Sequence, residues 1–273
     1  MALTKRWEST WQCWCGRVVF RVRFKLSFSA GMFHLTYGGP MSKRQLRQPE
    51  KALGADLATE ISRACTALET AIELSQEPPP EHLQASKGWL AGNALWMRAL
   101  SNCEVTLFLV EKGMDGPAWS NLRMAYECLF FACALWDKPE NLTRIEDNHR
   151  IEKAKQARGL LKPGVYPAMT PERKASLEKI AKGDVGAKEW KVFDAAFEVG
   201  MEYWYQMVYR GSSLAGAHAT ELSTNVHFEE VSEGVHSFYY GPRYDDAKFQ
   251  VGFVQELLSL GLKAFKKLHQ LDR

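Results

Sequence analysis

The stretch WMRALSNCEVTLFLVEKGMDGPAWSNLRMAYECLFFACALWDKP, residues 96–139, decides the fold. In its first half Trp96, Leu100, Cys103, Leu107 and Val110 recur every three or four residues, and Trp89 upstream keeps the same period. That spacing lays one apolar stripe along a helix. Gly113 ends the helix as a C-cap residue. Asp115 caps a second helix, with Pro117 near its first position. Trp119, Leu122, Tyr126, Leu129, Phe130, Cys133, Leu135 and Trp136 continue that helix to Pro139. The link from Gly113 to Asp115 is too short for anything but antiparallel neighbours.

Working outward, the text stays helical. Leu53, Leu57, Ile61, Cys65, Leu68 and Ile72 form a stripe that runs to about Ser75, and Pro78, Pro79 and Pro80 stop it. After Pro139 a charged helix runs from Glu140 to about Arg158. A short helix opens at Thr170-Pro171-Glu172-Arg173 and ends near Gly183. Another is expected from Ala187 through Trp190, Phe193 and Phe197 into the aromatic run 201–209. Residues 219–244 lack helical period and read as an extended loop or a minor hairpin. The last helix starts at Asp245 and Asp246, with Phe249, Phe253, Leu257, Leu260, Ala264 and Leu268 expected inward. The fold class is all-α: a bundle of about six or seven helices, with a minor N-terminal β-hairpin.

That hairpin belongs to residues 1–40, which differ from the rest. They carry six basic residues against one acidic, and from Phe20 to Phe28 apolar and polar residues alternate as in a half-buried strand. Ser29-Ala30-Gly31 turns it back toward Met32–Tyr37. We read 1–40 as a basic, aromatic extension that need not be native, with Met41 as the natural start, and 41–273 as a single helical domain. The remainder holds 29 basic and 31 acidic groups, so as a whole it is not a basic nucleic-acid surface. No apolar run reaches 18 residues, and Trp7, Trp11 and Trp14 are interleaved with charges. The expectation is a cytoplasmic chain with no membrane partner. Cys65, Cys103, Cys128 and Cys133 fall inside helical runs at no disulfide or zinc spacing, and read as buried thiols. No cofactor and no metal is expected. There is no HExxH, P-loop or GxGxxG, and one Glu-x-x-His (Glu146, His149) is half of what a di-iron bundle needs. His218, His227 and His236 recur at nine-residue intervals, but as a metal triad they would need the loop to fold inward.

Polar residues set in apolar stripes mark the candidate site. Glu104 lies among Leu100, Leu107 and Phe108. Arg123 and Glu127 stand four apart, so they can pair, and Phe130 and Phe131 flank Glu127. Farther on, MEYWYQMVYRGSSLAGAHATE (201–221) changes from aromatic to polar at Arg210, with Tyr209 before it and Ser213 and His218 after it. Glu104, Arg123 and Glu127 converge if the adjacent helices pack as expected, and Arg210 and His218 can join them. Such a set is either a buried ion network that fixes helix register or the lining of a pocket. An arginine beside an imidazole can hold a phosphate while the imidazole moves a proton.

The order of Trp96-Met97-Arg98-Ala99-Leu100, Asn121-Leu122-Arg123 with Glu127, Trp136-Asp137-Lys138-Pro139, and Tyr209-Arg210 with Ser213 and His218 resembles an uncharacterised bacterial helical family, a domain of unknown function. That resemblance spans residues 60–225 and brings no activity. More distantly, an arginine followed by a histidine in an all-helical chain resembles the HEPN superfamily, whose motif places four to six residues between them. Arg210 and His218 have seven between them, a departure; Arg144 and His149 have four but lie in the charged helix. The HEPN resemblance implies a metal-independent ribonuclease of a toxin or phage-defence type. Arg210 and His218 would be its catalytic pair, supported by Glu104, Arg123, Glu127, Ser213 and Tyr209. RNA, a second copy of the chain and an antitoxin-like protein would be its partners. The alternative is a non-catalytic interaction or ligand-binding protein in which the polar cluster is structural.

Overall fold

The computed structural model describes residues 54–269, apart from 79–80, 167, 226, 233–234 and 239–241. The chain divides into two units, Met1–Arg44 and Gln45–Arg273, and every described residue belongs to the second. The extension 1–40, and with it the hairpin expected there, lies outside the described residues.

The described part is all-helical except for one hairpin. Six helices exceed ten residues: α1 (Ala55–Leu74), α2 (Lys87–Glu111), α3 (Asp115–Asp137), α4 (Leu142–Leu160), α5 (Pro171–Ala181) and, at the end, α9 (Ala247–His269). Between α5 and α9 lie the short α6 (Val192–Glu198), α7 (Glu202–Trp204) and α8 (Glu221–Asn225). Strands β1 (Phe228–Ser232) and β2 (Val235–Phe238) pair antiparallel with a bulge between Glu230 and Ser232, so the loosely alternating stretch is a minor hairpin.

The centre of the fold is α3. From Cys128 to Trp136 every side chain is buried, the signature of a helix covered on all sides. Its broadest interface is with α2, whose expected stripe of Trp89, Trp96, Leu100, Cys103, Leu107 and Val110 is wholly buried. The turn between them follows from sequence: Gly113 (φ 65°) takes the left-handed conformation while Met114 N–H bonds Leu109 O and Gly113 N–H bonds Val110 O. Asp115 is the first residue of α3 rather than its cap, and no side chain caps that end. Helix α9 packs on α1, α2 and α3. Cys65, Cys103, Cys128 and Cys133 are free and buried, and desolvation pushes all four thiols up, Cys65 and Cys128 to about 11 and Cys133 to about 12.

Two expectations need correction. The helix expected to run unbroken from Ala187 to Tyr209 begins only at Val192 and stops at Glu198. Gly200 sits at φ 69°, Met201 N–H bonds Ala196 O and Gly200 N–H bonds Phe197 O, so the chain caps α6 and restarts at α7. The inward face of α9 is also only partly the expected one. Phe249 is 66% exposed, while Gln250, Val251, Val254, Leu257, Leu258, Gly261 and Phe265 are buried. Of the expected stripe Leu257 is buried, Phe253, Leu260, Ala264 and Leu268 are half-buried against the core, and only Phe249 faces out, so the fully buried stripe runs beside the expected one. The buried one includes Gly261, where an added Cβ would stand 2.2 Å from the Trp96 ring.

Candidate functional site

The site is built where α3 meets the segment after α7. That segment does not continue as an α-helix: Tyr205–Arg210 and Ser213–Ala217 are π-helical. Its last turn closes with His218 N–H on Ser213 O, five residues back, at 3.2 Å. π-Turns are rare, occur mostly as single turns, and often mark functional sites. Here two hydroxyls reinforce the loosened carbonyls. Ser212, fully buried, donates to Val208 O and lies 3.2 Å from Tyr209 O, and Ser213 Oγ donates to Tyr209 O at 2.7 Å. Gly216 lets the segment approach α3, since a Cβ there would stand 2.2 Å from Gly116 O and 2.9 Å from Trp119 Cβ.

Across this contact Arg123 is the hub. Its Nε donates to Ser213 Oγ at 2.8 Å and its Nη2 to the Tyr209 hydroxyl. The guanidinium carbon lies 4.2 Å from the centroid of the Tyr209 ring, and Nη1 stands 3.5 Å from Glu127 Oε2. The Tyr209 hydroxyl in turn donates to Glu127 Oε2 at 3.1 Å. Desolvation, then the Glu127 carboxylate, push the phenol up to about 12 against the opposing pull of Arg123. Tyr209 therefore keeps the proton it donates. The ring also stacks on Tyr205 (5.1 Å, 19°), and Tyr205 meets Phe193 of α6 edge-on. This Arg123–Glu127–Tyr209–Ser213 set is a satisfied network that pins the π-helical segment to α3. It is not deeply buried, because the Arg123 and Glu127 side chains keep 23% and 37% of their exposure.

The other expected residues stand differently. Arg210 is exposed, and its side chain has no hydrogen bond or ion pair among the described residues. His218 is exposed too, but its backbone is held: its carbonyl accepts from Thr220 N–H and Ser223 Oγ, while Thr220 and Ser223 cap α8 reciprocally. Arg210, within the pinned segment, and His218, at its end, thus carry side chains with no hydrogen bond or ion pair among the described residues. Tyr203, Met207 and Leu214, close to them in the chain, are exposed as well. Glu104 is half-buried on α2 and within electrostatic reach of Cys65 on α1. Arg144 pairs with Glu198 at 2.7 Å and lies over the Trp190 ring at 4.2 Å, while His149 is exposed. Among the described residues no His, Cys, Asp and Glu cluster could hold a metal; the side chain of His236 is outside the description.

A second polar cluster has no counterpart in the sequence reading. Trp119 Nε1 donates to Asp246 Oδ2 at 2.9 Å, and Gln250, fully buried, donates through Nε2 to Asp115 O at 3.0 Å. Desolvation raises Asp115 to about 6; the Asp246 backbone N–H opposes this, and the Asp246 and Asp245 carboxylates add to it. Periodicity could not find this cluster, because it joins residues more than a hundred positions apart.

Against this geometry the comparison with known families is decisive. The chain belongs to DUF5677, a family of unknown function. The family model matches residues 90–235. That span holds Glu104, Arg123, Glu127, Tyr209, Arg210, Ser213 and His218, together with the π-helical turns that carry Tyr209, Arg210 and Ser213 and end at His218. It leaves out α1 and α9, which cover the core from outside the matched segment. No curated protein and no solved structure matches the chain. No helix among the described residues is long and apolar enough to cross a membrane.

Proposed function

We propose that this DUF5677 chain is a metal-independent, HEPN-like ribonuclease of a toxin or phage-defence type, with Arg210 and His218 as its catalytic pair. The observation that carries the reading is the contrast within one short segment. Tyr209 and Ser213 are locked onto Arg123, while Arg210 and His218 are exposed and uncommitted on a backbone that those bonds hold still. A reactive pair is best placed on a rigid frame with its own side chains free for substrate.

The chemistry suits those two groups. Arg210 would lie against the non-bridging oxygens of one RNA phosphate and offset the charge that builds there. The His218 imidazole would take the proton of the adjacent 2′-hydroxyl. The 2′-oxygen then bonds to phosphorus as the bond to the 5′-oxygen breaks, giving a 2′,3′-cyclic phosphate and a 5′-hydroxyl that takes up a proton. The test is cleavage of a labelled RNA by the full chain in excess chelator, alongside His218→Ala and Arg210→Ala, with melting temperatures measured in parallel. Both variants should keep the wild-type melting temperature and lose at least a hundredfold in rate, since positioned acid–base groups contribute on the order of 10²–10⁴-fold. Cleavage by His218→Ala at the wild-type rate overturns the reading.

One observation favours a second reading, a non-catalytic interaction protein. Tyr203 (63% exposed), Met207 and Leu214 are large apolar side chains exposed in the same segment as Arg210, the kind of groups a second copy or an antitoxin-like partner would cover. Loss of self-association on Tyr203→Ala, with no RNA cleavage by wild type, would support it.

A further inference from the structure

The charge of the chain is unevenly placed. Residues 150–191 hold eleven basic and five acidic side chains, a net of +6, against +3 for the whole sequence. They span most of α4, all of α5 and the turns on either side. Three of the cations are used in ion pairs: Arg150 with Asp147, Lys155 with Glu152 and Glu189, and Arg158 with Asp184. Lys153, Lys162, Lys174, Lys179, Lys182 and Lys188 are exposed, and their side chains make no hydrogen bond or ion pair among the described residues.

Core formation does not explain α5, which buries none of its side chains. Yet its surroundings are fixed. Arg158 grips both oxygens of Asp184 (2.8 and 3.0 Å) and the Ala181 carbonyl (2.9 Å). Asn148 holds the backbone of Trp190 from both sides, accepting from its N–H at 2.7 Å and donating to its O at 2.8 Å. Arg144 ties α4 to α6 through Glu198, and α6 reaches the π-helical segment through Phe193 on Tyr205. At the tip Arg173 lies over the half-exposed Tyr166 ring at 5.3 Å. A preformed cationic arm with an aromatic ring at its tip matches a strand of phosphates with unpaired bases. It lacks the wide apolar face by which a helix enters a lipid surface.

We infer that the α4–α5 arm is the phosphate-binding surface on which this chain holds an RNA strand, with α5 and its following turn as the principal contact. The inference rests on the RNA reading above but not on Arg210 or His218. It explains why a chain whose remaining body is acidic on balance can still bind a polyanion.

The experiment measures binding of a fluorescent single-stranded RNA 20-mer by anisotropy, across salt from about 50 to 300 mM. It uses the full chain carrying His218→Ala so that the probe is not consumed. The comparison chain adds Lys174→Gln, Lys179→Gln and Lys182→Gln. All three lysines are exposed and make no ion pair among the described residues, so its melting temperature should not move. For single strands the slope of log K against log salt is about −0.7 per neutralised phosphate. The triple variant should therefore lose about two units of slope and about tenfold in affinity at low salt. Equal affinity and slope in the two chains would overturn the inference. So would tighter, arm-dependent binding to phosphatidylserine vesicles than to RNA. RNA held through the arm but never cut by the wild-type chain, which keeps His218, leaves the arm standing and removes the ribonuclease. RNA cut by the wild-type chain with no effect of the three lysines does the reverse.

Discussion

Replacing Arg123 by methionine tests how the π-helical segment is held. The side chain makes four contacts: 2.8 Å to Ser213 Oγ, a bond to the Tyr209 hydroxyl, 4.2 Å over the Tyr209 ring, and 3.5 Å to Glu127. A hydrogen bond from a charged donor is worth about 1.5–3 kcal/mol, a partly exposed cation–π contact about 0.5–1, and an exposed ion pair about 0–1. These terms overlap and do not add. What remains after the substitution matters as much. Ser213 keeps its bond to Tyr209 O, the Tyr209 hydroxyl keeps Glu127, and Glu127 at 37% exposure can be hydrated. The cost of about 3–5 kcal/mol for breaking a fully buried pair therefore does not apply in full. We expect a loss of about 2 kcal/mol by urea or thermal unfolding, or about 4–8 °C for a domain of this size. A double-mutant cycle should find the larger coupling between Arg123 and Ser213 and the smaller one between Arg123 and Glu127. A change within about 0.5 kcal/mol, the usual surface value, would mean that Arg123 is not the hub. A loss above about 4 kcal/mol would mean that the pair behaves as a fully buried one.

Gly216→Ala should cost at least about 3 kcal/mol, the upper end for overpacking, because the obstruction is the Gly116 carbonyl of the backbone and cannot rotate away; unchanged urea unfolding would refute the close approach. Gly261→Ala should cost about 1–3 kcal/mol by the same assay, since the added methyl meets the fully buried Trp96 ring. Asp115 has its folded pKa raised from 3.8 to about 6, so the stability it contributes is fully present below about pH 3.8 and is lost as pH rises through about 6. Asp115→Asn should remove that part of the pH dependence and leave the chain about 1–2 kcal/mol more stable than wild type at pH 7, with partial exposure reducing the full linkage value. Identical pH–stability curves for the two chains would show that the carboxyl titrates normally.

Much of the bundle is legible from one dimension. Helices α2 and α3 carry long, unbroken apolar periods and a glycine at their turn, so local spacing and tertiary packing agree. Helix α9 shows the limit of that method. Hydrophobic size pointed to Phe249, but packing uses Gln250 and Gly261, residues whose value lies in what they let approach. The break at Gly200 has the same character, since a tolerated glycine and a helix-ending glycine look alike until the φ angle is known.

The candidate site divides along the same line. Arg123 and Glu127 are readable as a pair because an α-helix fixes the geometry of residues four apart. Their bonds to Tyr209 and Ser213 are not readable, because they span 82 to 90 positions and rest on a local departure from α-geometry. That departure changes what each residue is for. In the sequence, Tyr209, Arg210, Ser213 and His218 form one polar group; in the fold they separate into two that are bonded inward and two that face out. Restoring an α-helical register would unsettle this division, because Tyr209 and Ser213 could no longer keep their present bonds to Arg123. The network around Arg123 therefore acts on Arg210 and His218 only through the backbone. Substitutions at Arg123 should alter where that pair stands without removing either side chain, and loss of the inward bonds and loss of the outward groups should remain separable by experiment.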